Sequence, residues 1–508
     1  MLQPALVHER ETPLPFGVVA AAQHHTPMLD AIRGFGAAGT VPFSTPGHKL
    51  GAGLDRELHD LLGSRFCASD VWLNTADYDG AVRRAEDLAA EVWGAERSFF
   101  LVNGSSSGNL AFLLSTVAPG DEVIVGRDLH QSLLAAFILT GARPVYVAPR
   151  LHPSLQIGLG LSVADVAATL DAHPAARLLI VTSPTYWGVA SDLGGIVAAA
   201  HARGVAVYVD EAWGPHFGFH PGLPSSAMAS GADGAVTSPH KLLTGLSQAA
   251  LLHVRGGWVD PARVAGAVKL MQTTSPLLPI LASLDACRRQ MALHGEGMLE
   301  RTIGLAEAAR SALGRLPGID VLDAERLGLA PELYDPTRLV IDVRGRGLSG
   351  YAAERQLRER CGIAPEMSDG AGIVCLVTVG DTASTVQRLV RAVAAQDGGA
   401  DPLATAKCPR VAGTAIAPGE QALTPREAYF AATRAVPLAR AAGEIASEAV
   451  IPYPPGIPVL TPGEVISEVK LDCLREGLAG GMHVRGAADA TLATVRVVDE
   501  GRGRGVEK

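Results

Sequence analysis

From about residue 41 to about residue 300 the chain repeats one alternation, a short run of branched apolar residues followed by a stretch of helical periodicity. The apolar runs are "DEVIVG", "RPVYVAP", "RLLIVTSP", "VAVYVDEA" and "GAVTSPHK". They are rich in Val and Ile and largely unalternating, as strands buried on both faces require. Between them lie helical segments such as "VADVAATLDAH" and "LGGIVAAAHARG". Strand–helix alternation implies an α/β fold, with a parallel sheet covered on both sides.

The rest of the chain has a different texture. Residues 1–40 form a lead-in with one expected helix, "TPMLDAIRGFGAAG", and 41–300 form the large domain. Over 301–400 the pattern becomes a smaller α+β unit, with a long helix "MLERTIGLAEAARSALGRL" and strands "TRLVIDVR" and "GIVCLVTVG". "AAQDGGADPLATAKCPRVAGTAIAPGE" is rich in Ala, Gly and Pro and places a linker at 401–420. A C-terminal domain follows at 421–497, with a helix and the Pro-rich turn "IPYPPGIPVLTPGE", and 498–508 read as a frayed tail. With 508 residues, 48% of them hydrophobic and 19% charged, the chain can bury several large cores.

Composition narrows the partners. A net charge of −9 argues against nucleic acid, and the basic clusters are short and scattered. No apolar run reaches membrane-spanning length, and the start "HERETP" lacks the basic region of a signal peptide, so the expected location is cytoplasmic. Six widely spread cysteines, with no C-x-x-C pair, suit a reducing compartment and suggest no metal site.

Ligands of open parallel sheets bind at the carboxyl ends of the strands, and polar residues gather there. After "SFFLV" comes a loop of small residues, Gly104-x-Ser106-x-Gly108, opening a helix. It fits a nucleophile elbow with Ser106 as nucleophile, and equally a phosphate cup at a helix N-terminus. His130 follows "DEVIVG", Asp210 closes "VAVYVD", and Ser238, His240 and Lys241 close "GAVT". Ser106, Asp210 and His240 stand in the order a hydrolase triad requires, but hydrolysis has no role for the adjoining Lys241. Pyridoxal phosphate uses the whole set: a lysine for a Schiff base, a carboxylate for the pyridine nitrogen, and a phosphate cup. A flat group against the ring face would complete the site, and His130 is the candidate.

Several long motifs resemble the bacterial ornithine/lysine/arginine decarboxylases, a fold-type I pyridoxal-phosphate family. They are "SPHKLLTGLSQAALLH" (238–253), "FSTPGHKLG" (43–51), "LVNGSSSGN" (101–109), "VDEAWGPHFGFHP" (209–221) and "TTSPLLPILASLD" (273–285). Residues 425–464 resemble that family's C-terminal domain, and the match runs in order from about residue 24 to about residue 495. The chain is similar to the short form, which has no N-terminal receiver-like wing.

The resemblance implies an aspartate-aminotransferase-like large domain, a smaller α+β domain and a C-terminal α+β cap. It implies decarboxylation of arginine, lysine or ornithine, with pyridoxal 5'-phosphate on Lys241, Asp210 at the pyridine N–H and His130 stacked on the ring. Ser105, Ser106, Ser107, Trp213, Ser238 and His240 would line the cofactor. Thr273, Thr274 or Ser275 would reach a neighbouring subunit's phosphate in a homodimer, and Glu366 and His48 would meet the substrate. Under this reading Ser106 is a wall of the cup. One departure bears on substrate: many members have "DEAH" where this chain has "DEAW", so Trp213 stands where His is common. An aminotransferase or oxygen-using amino-acid oxidase, and a non-catalytic amino-acid-binding relative, remain alternatives; intact Lys241 and Asp210 speak against the last.

Some residues are better explained by structure. His216 and His220 in "HFGFH" are expected to pack a loop, Asp79 in "DYDG" to sit in a turn, and Cys375 to lie in the core.

Overall fold

The structure is a computed structural model, described for residues 21–398, 413, 417–453, 456–499 and 501. The first twenty residues of the lead-in, most of the expected linker at 401–420 and most of the tail at 498–508 lie outside these.

A seven-stranded sheet forms the large domain. Its strands are β1 (Arg97–Leu101), β2 (Glu122–Gly126), β3 (Arg143–Val147), β4 (Leu178–Thr182), β5 (Ala206–Glu211), β6 (Gly234–Thr237) and β7 (Ala250–Val254). The order is β1-β7-β6-β5-β4-β2-β3. Neighbours from β6 to β3 run parallel, and β7 runs antiparallel to both β6 and β1. All five apolar runs anticipated as strands are strands. β4 and β5 are buried at every residue, which is why their sequences do not alternate. Helices Gly104–Thr116 and Gln131–Thr140 share one apolar core with the sheet, and Val163–Ala172 and Leu193–His201 share another.

Helix Leu278–Leu313 has 36 residues, about 54 Å at 1.5 Å per residue. It starts well before the helical pattern noticed near residue 298, with Pro279 in its first turn, where a missing N–H costs nothing. The expected boundary at residue 300 therefore falls inside a helix. Beyond it an antiparallel sheet of order β10-β11-β9-β8 forms from β8 (Asp320–Leu322), β9 (Arg338–Asp342), β10 (Met367–Ser368) and β11 (Gly372–Leu376). Cys375 is buried in β11, where burial pushes its thiol up to about 12. The C-terminal domain pairs β12 (Thr433–Pro437) with β15 (Thr494–Val498), and β13 (Ile451–Pro452) with β14 (Val484–Arg485). Its core is continuous with Tyr186 and Trp187 of the large domain and with Val340 and Val374 of the small one.

Asp79 is a correction: it lies exposed in helix Thr75–Trp93, not in a turn. Asn74 caps that helix by accepting from the N–H groups of Ala76 and Asp77, and Ala81, Ala85 and Ala89 bury one face. A cap plus a packed stripe outweighs the local turn preference of "DYDG". Among the described residues, no helix is long and apolar enough to cross a membrane, and no group of His, Cys, Asp and Glu could hold a metal ion.

Candidate active site

The carboxyl ends of β1, β2, β5 and β6 lie along one edge of the sheet, because β7 reverses direction twice over and restores β1 to the sense of β6. Asp210, near the end of β5, is buried. Its Oδ2 accepts from Asn109 Nδ2 at 2.9 Å and its Oδ1 accepts from the Ala212 N–H at 3.2 Å. Asn109 Nδ2 also donates to Ser132 Oγ at 2.8 Å, and the Tyr208 hydroxyl donates to Asn109 Oδ1 at 2.8 Å. Ser132 in turn lies 2.8 Å from Nδ1 of His130, the N-cap of helix Gln131–Thr140. Asp210 and His130 are therefore two ends of one hydrogen-bonded chain. Burial lowers the His130 pKa; the Asp210 charge opposes this and the Lys241 charge adds to it.

Lys241 lies in the short helix Pro239–Leu242 that follows β6. Its Nζ is 4.0 Å from the centre of the Trp213 ring. Burial pulls its pKa from 10.5 to about 8, with Asp210 opposing, Arg338 assisting and Glu366 opposing. Arg338, at the head of β9, is 1% exposed and lies 4.6 Å over the same ring. Its Nη2 donates to the Trp213 carbonyl at 3.0 Å and its Nε to Asp335 Oδ2 at 3.3 Å. Asp335 Oδ2 also meets His216 Nε2 at 3.1 Å. Burial would raise the Asp335 carboxyl, but His216 and Arg338 hold it well below the usual range. Tyr186 meets Trp213 edge-on at 5.8 Å.

The small-residue loop closes the third side. Gly104 adopts φ +68°, a conformation L side chains rarely take, and starts helix Gly104–Thr116. A Cβ at Gly108 would stand 2.7 Å from Val236 Cγ2 and 2.8 Å from Leu101 Cδ1, so only glycine lets the helix approach β6 and β1 so closely. Ser107 is buried and its hydroxyl donates to the Gly104 carbonyl at 2.8 Å. Its hydroxyl is thus engaged within the first turn of the helix. Ser105 and Ser106 stay half-buried at the helix N-terminus. Ser238 is fully buried and its Oγ has no hydrogen-bond partner. His240 donates Nδ1–H to the Ala249 carbonyl at 2.7 Å, and burial lowers its pKa.

The C-terminal domain is hooked to this edge by Arg127, directly after β2 and 0% exposed. Arg127 donates to the carbonyls of Pro458 and Val459 at 2.7 and 3.2 Å, and to Glu464 Oε2 at 3.0 Å. Thr461 and Lys470 also bind Glu464.

The other anticipated residues are distributed around this centre. Thr273, Thr274 and Ser275 are exposed, on a loop fixed by Gln272, whose amide bonds both Phe100 O (3.0 Å) and the Val102 N–H (2.8 Å) at the end of β1. Glu366 is exposed, and its charge acts on Lys241 and Arg338. His48 spends both ring nitrogens elsewhere, on Asp70 (3.0 Å) and the Gly51 N–H (3.0 Å). His216 and His220 pair with Asp335 and Glu300 as loop anchors.

Sequence reasoning missed Asn109, Arg338 and Arg127. Asn109 is four residues after Ser105, hence on the same helix face. Arg338 opens the largely apolar strand β9 and Arg127 directly follows the apolar run of β2, a signal that a buried partner exists.

The donor set fits pyridoxal phosphate. The helix N-terminus with Ser105 and Ser106 suits a phosphate, the orphaned Ser238 hydroxyl awaits a polar partner, and the buried Asp210 carboxylate acts electrostatically on the half-buried Lys241 amine.

The chain matches the family model of the Orn/Lys/Arg decarboxylase major domain over residues 26–385, and that of the C-terminal domain over residues 413–476. It is 39% identical over 501 residues to an arginine decarboxylase of Halalkalibacterium halodurans, covering 97% of this chain and 98% of that protein. A lysine decarboxylase of Pseudomonas aeruginosa is 28% identical over 558 residues, covering 87% of this chain and 74% of its own. The solved structure of a Francisella novicida lysine decarboxylase superposes with a TM-score of 0.82 at 23% identity, covering 94% of this chain and 82% of that one, a likeness of fold.

Proposed function

The chain belongs to the Orn/Lys/Arg decarboxylase family, and on that premise we propose that it decarboxylates arginine with pyridoxal 5'-phosphate held on Lys241. Decarboxylation of a basic amino acid is the family's reaction. The choice of arginine rests on the 39% identity to an arginine decarboxylase over nearly both whole chains, against 28% to a lysine decarboxylase. The observation that carries the chemistry is the meeting of Lys241, Asp210 and the Gly104–Thr116 N-terminus at one sheet edge.

When bound, pyridoxal phosphate supplies an electron sink for the bond to the departing carboxylate. Asp210, fixed by Asn109 and Ala212, keeps a proton on the ring nitrogen. Lys241, brought down to about 8, has a neutral fraction at physiological pH and can take up and return a proton at Nζ. Ser105, Ser106 and the helix N–H groups would hold the phosphate, with Ser238 and His240 as further polar groups for it. His130 would supply a flat group for the ring. Glu366 supplies negative charge for the substrate's distal cation. The exposed loop at Thr273, Thr274 and Ser275 serves the phosphate site of a second subunit, making the working unit a cytoplasmic homodimer.

The test is carbon dioxide release from arginine, lysine and ornithine, with keto acid and hydrogen peroxide measured alongside. Arginine is expected to be the best substrate, with carbon dioxide as the matching product. Borohydride is expected to fix the cofactor on the peptide containing Lys241. A label on another lysine, or keto acid in place of carbon dioxide, overturns the proposal.

A further inference from the structure

We infer that Asn109 is the positioning residue that aims Asp210 and ties it to His130, a role that rests on the function proposed above. The direction of every bond in the chain follows from one carboxylate. An ionised carboxylate only accepts, so the nitrogen end of the Asn109 amide faces Asp210. Asn109 Oδ1 must then accept, and the Tyr208 hydroxyl donates to it. Tyr208 is itself fixed by stacking on Phe112 at 4.0 Å, and burial raises its pKa well above 10, so it stays a donor. The second amide N–H goes to Ser132 Oγ, leaving the Ser132 proton free to point at His130 Nδ1. The Ser132 backbone N–H points at the same Nδ1 from 3.2 Å. His130 Nδ1 thus receives two donors, and the ring proton belongs on Nε2.

Asn109 and Tyr208 are 0% exposed, Asp210 4% and Ser132 5%, so water does not compete for these bonds. A fully satisfied buried network holds its members in one geometry. Asn109 takes one lone pair of Asp210 Oδ2 and the Ala212 N–H takes one of Oδ1, which fixes the carboxylate plane and leaves defined acceptor directions for a ring N–H.

Two measurements test the assignment. In cofactor-free protein carrying 15N-labelled histidine, the His130 signal, identified by its loss in His130→Gln, should show a bare Nδ1 and a protonated Nε2. A proton on Nδ1 overturns the bond directions. In protein loaded with ring-15N pyridoxal phosphate, Asn109→Ala should shift the ring-nitrogen signal toward the unprotonated form. Its kcat should fall about 10- to 100-fold, the usual cost of losing a hydrogen bond to a charged group, with KM little changed. Wild-type kcat and an unmoved signal at full loading overturn the role. Tyr208→Phe removes only the hydroxyl that orients Asn109; it should act in the same direction with a smaller loss, and serves if Asn109→Ala does not fold. A wild-type protein that releases no carbon dioxide from any of the three amino acids refutes the proposed function, while the His130 measurement still decides the hydrogen-bond assignment.

Discussion

Lys241 Nζ stands 4.0 Å from the centre of the Trp213 indole ring, and a second, buried cation, Arg338, lies 4.6 Å from the same centre. The electron-rich ring face stabilises the ammonium form, while burial and Arg338 oppose it. The residue that departs from the common family pattern is thus in direct contact with the lysine expected to anchor the cofactor.

Replacing Trp213 by Leu therefore lowers the Lys241 pKa, because the ring contact that favours the ammonium form is lost. A desolvated cation–π contact is worth up to about 2 kcal/mol, so the shift is on the order of one pH unit. The measurement is the pH dependence of cofactor uptake by cofactor-free protein, which needs the neutral amine. The midpoint is expected to move to lower pH; an unmoved or raised midpoint would show that the ring does not hold the ammonium.

Asp210→Asn keeps shape and one acceptor but removes the charge that holds a proton on the ring nitrogen. The loss falls where charge develops, so kcat drops by about 10² to 10³ with KM less affected. Steady-state decarboxylation with bound cofactor quantified in the same sample checks this. Wild-type kcat at full occupancy would displace Asp210 from its role.

Ser106→Ala weakens cofactor retention but leaves substantial turnover when cofactor is in excess. Ser105 and the helix N–H groups remain, and one lost donor to a charged acceptor costs roughly 1.5–3 kcal/mol. Equilibrium dialysis and a cofactor-saturated assay separate the two effects. Abolished turnover at full occupancy would restore Ser106 as a nucleophile.

Much of this was legible in the sequence because strands buried on both faces leave no polar alternation, and because their carboxyl ends expose chemistry. β7 was harder to see: "ALLHV" lies inside a motif read for its lysine, and its antiparallel sense depends on what it pairs with. Ser107 looked like its neighbours, and only the helix geometry shows that it turns inward to Gly104. Asn109 carries neither charge nor nucleophile, so its value appears only when Tyr208, Ser132 and Asp210 converge on it. Arg338 and Lys241 are distant in sequence and meet over an indole ring that either could have ignored.

His253 makes the fold acid-sensitive. It is 1% exposed in β7, between Ser98 Oγ (2.8 Å) and Thr237 Oγ1 (3.0 Å), and burial drops its pKa to about 3. The unfolded chain takes up this proton below about pH 6.5, the folded chain only near pH 3. Its contribution is whole above pH 6.5 and is lost progressively as pH falls, about 2 kcal/mol between pH 7 and pH 5. Urea unfolding at both pH values should show His253→Gln losing about that much less than the wild type. Equal losses would place the acid sensitivity elsewhere.

The Arg127 hook sets an order in time. Arg127 and Glu464 are 337 residues apart, so a ribosome adding about 5–20 residues per second makes the second roughly 20–70 s after the first. Throughout that interval the end of β2, three residues before His130, carries a guanidinium whose buried partner has not been synthesised. The large domain can assemble its sheet as it emerges, but this edge of the crevice is completed only when the last tenth of the polypeptide folds back onto it. Until then Arg127 lacks all three of the partners, Pro458, Val459 and Glu464, that bury it in the finished fold.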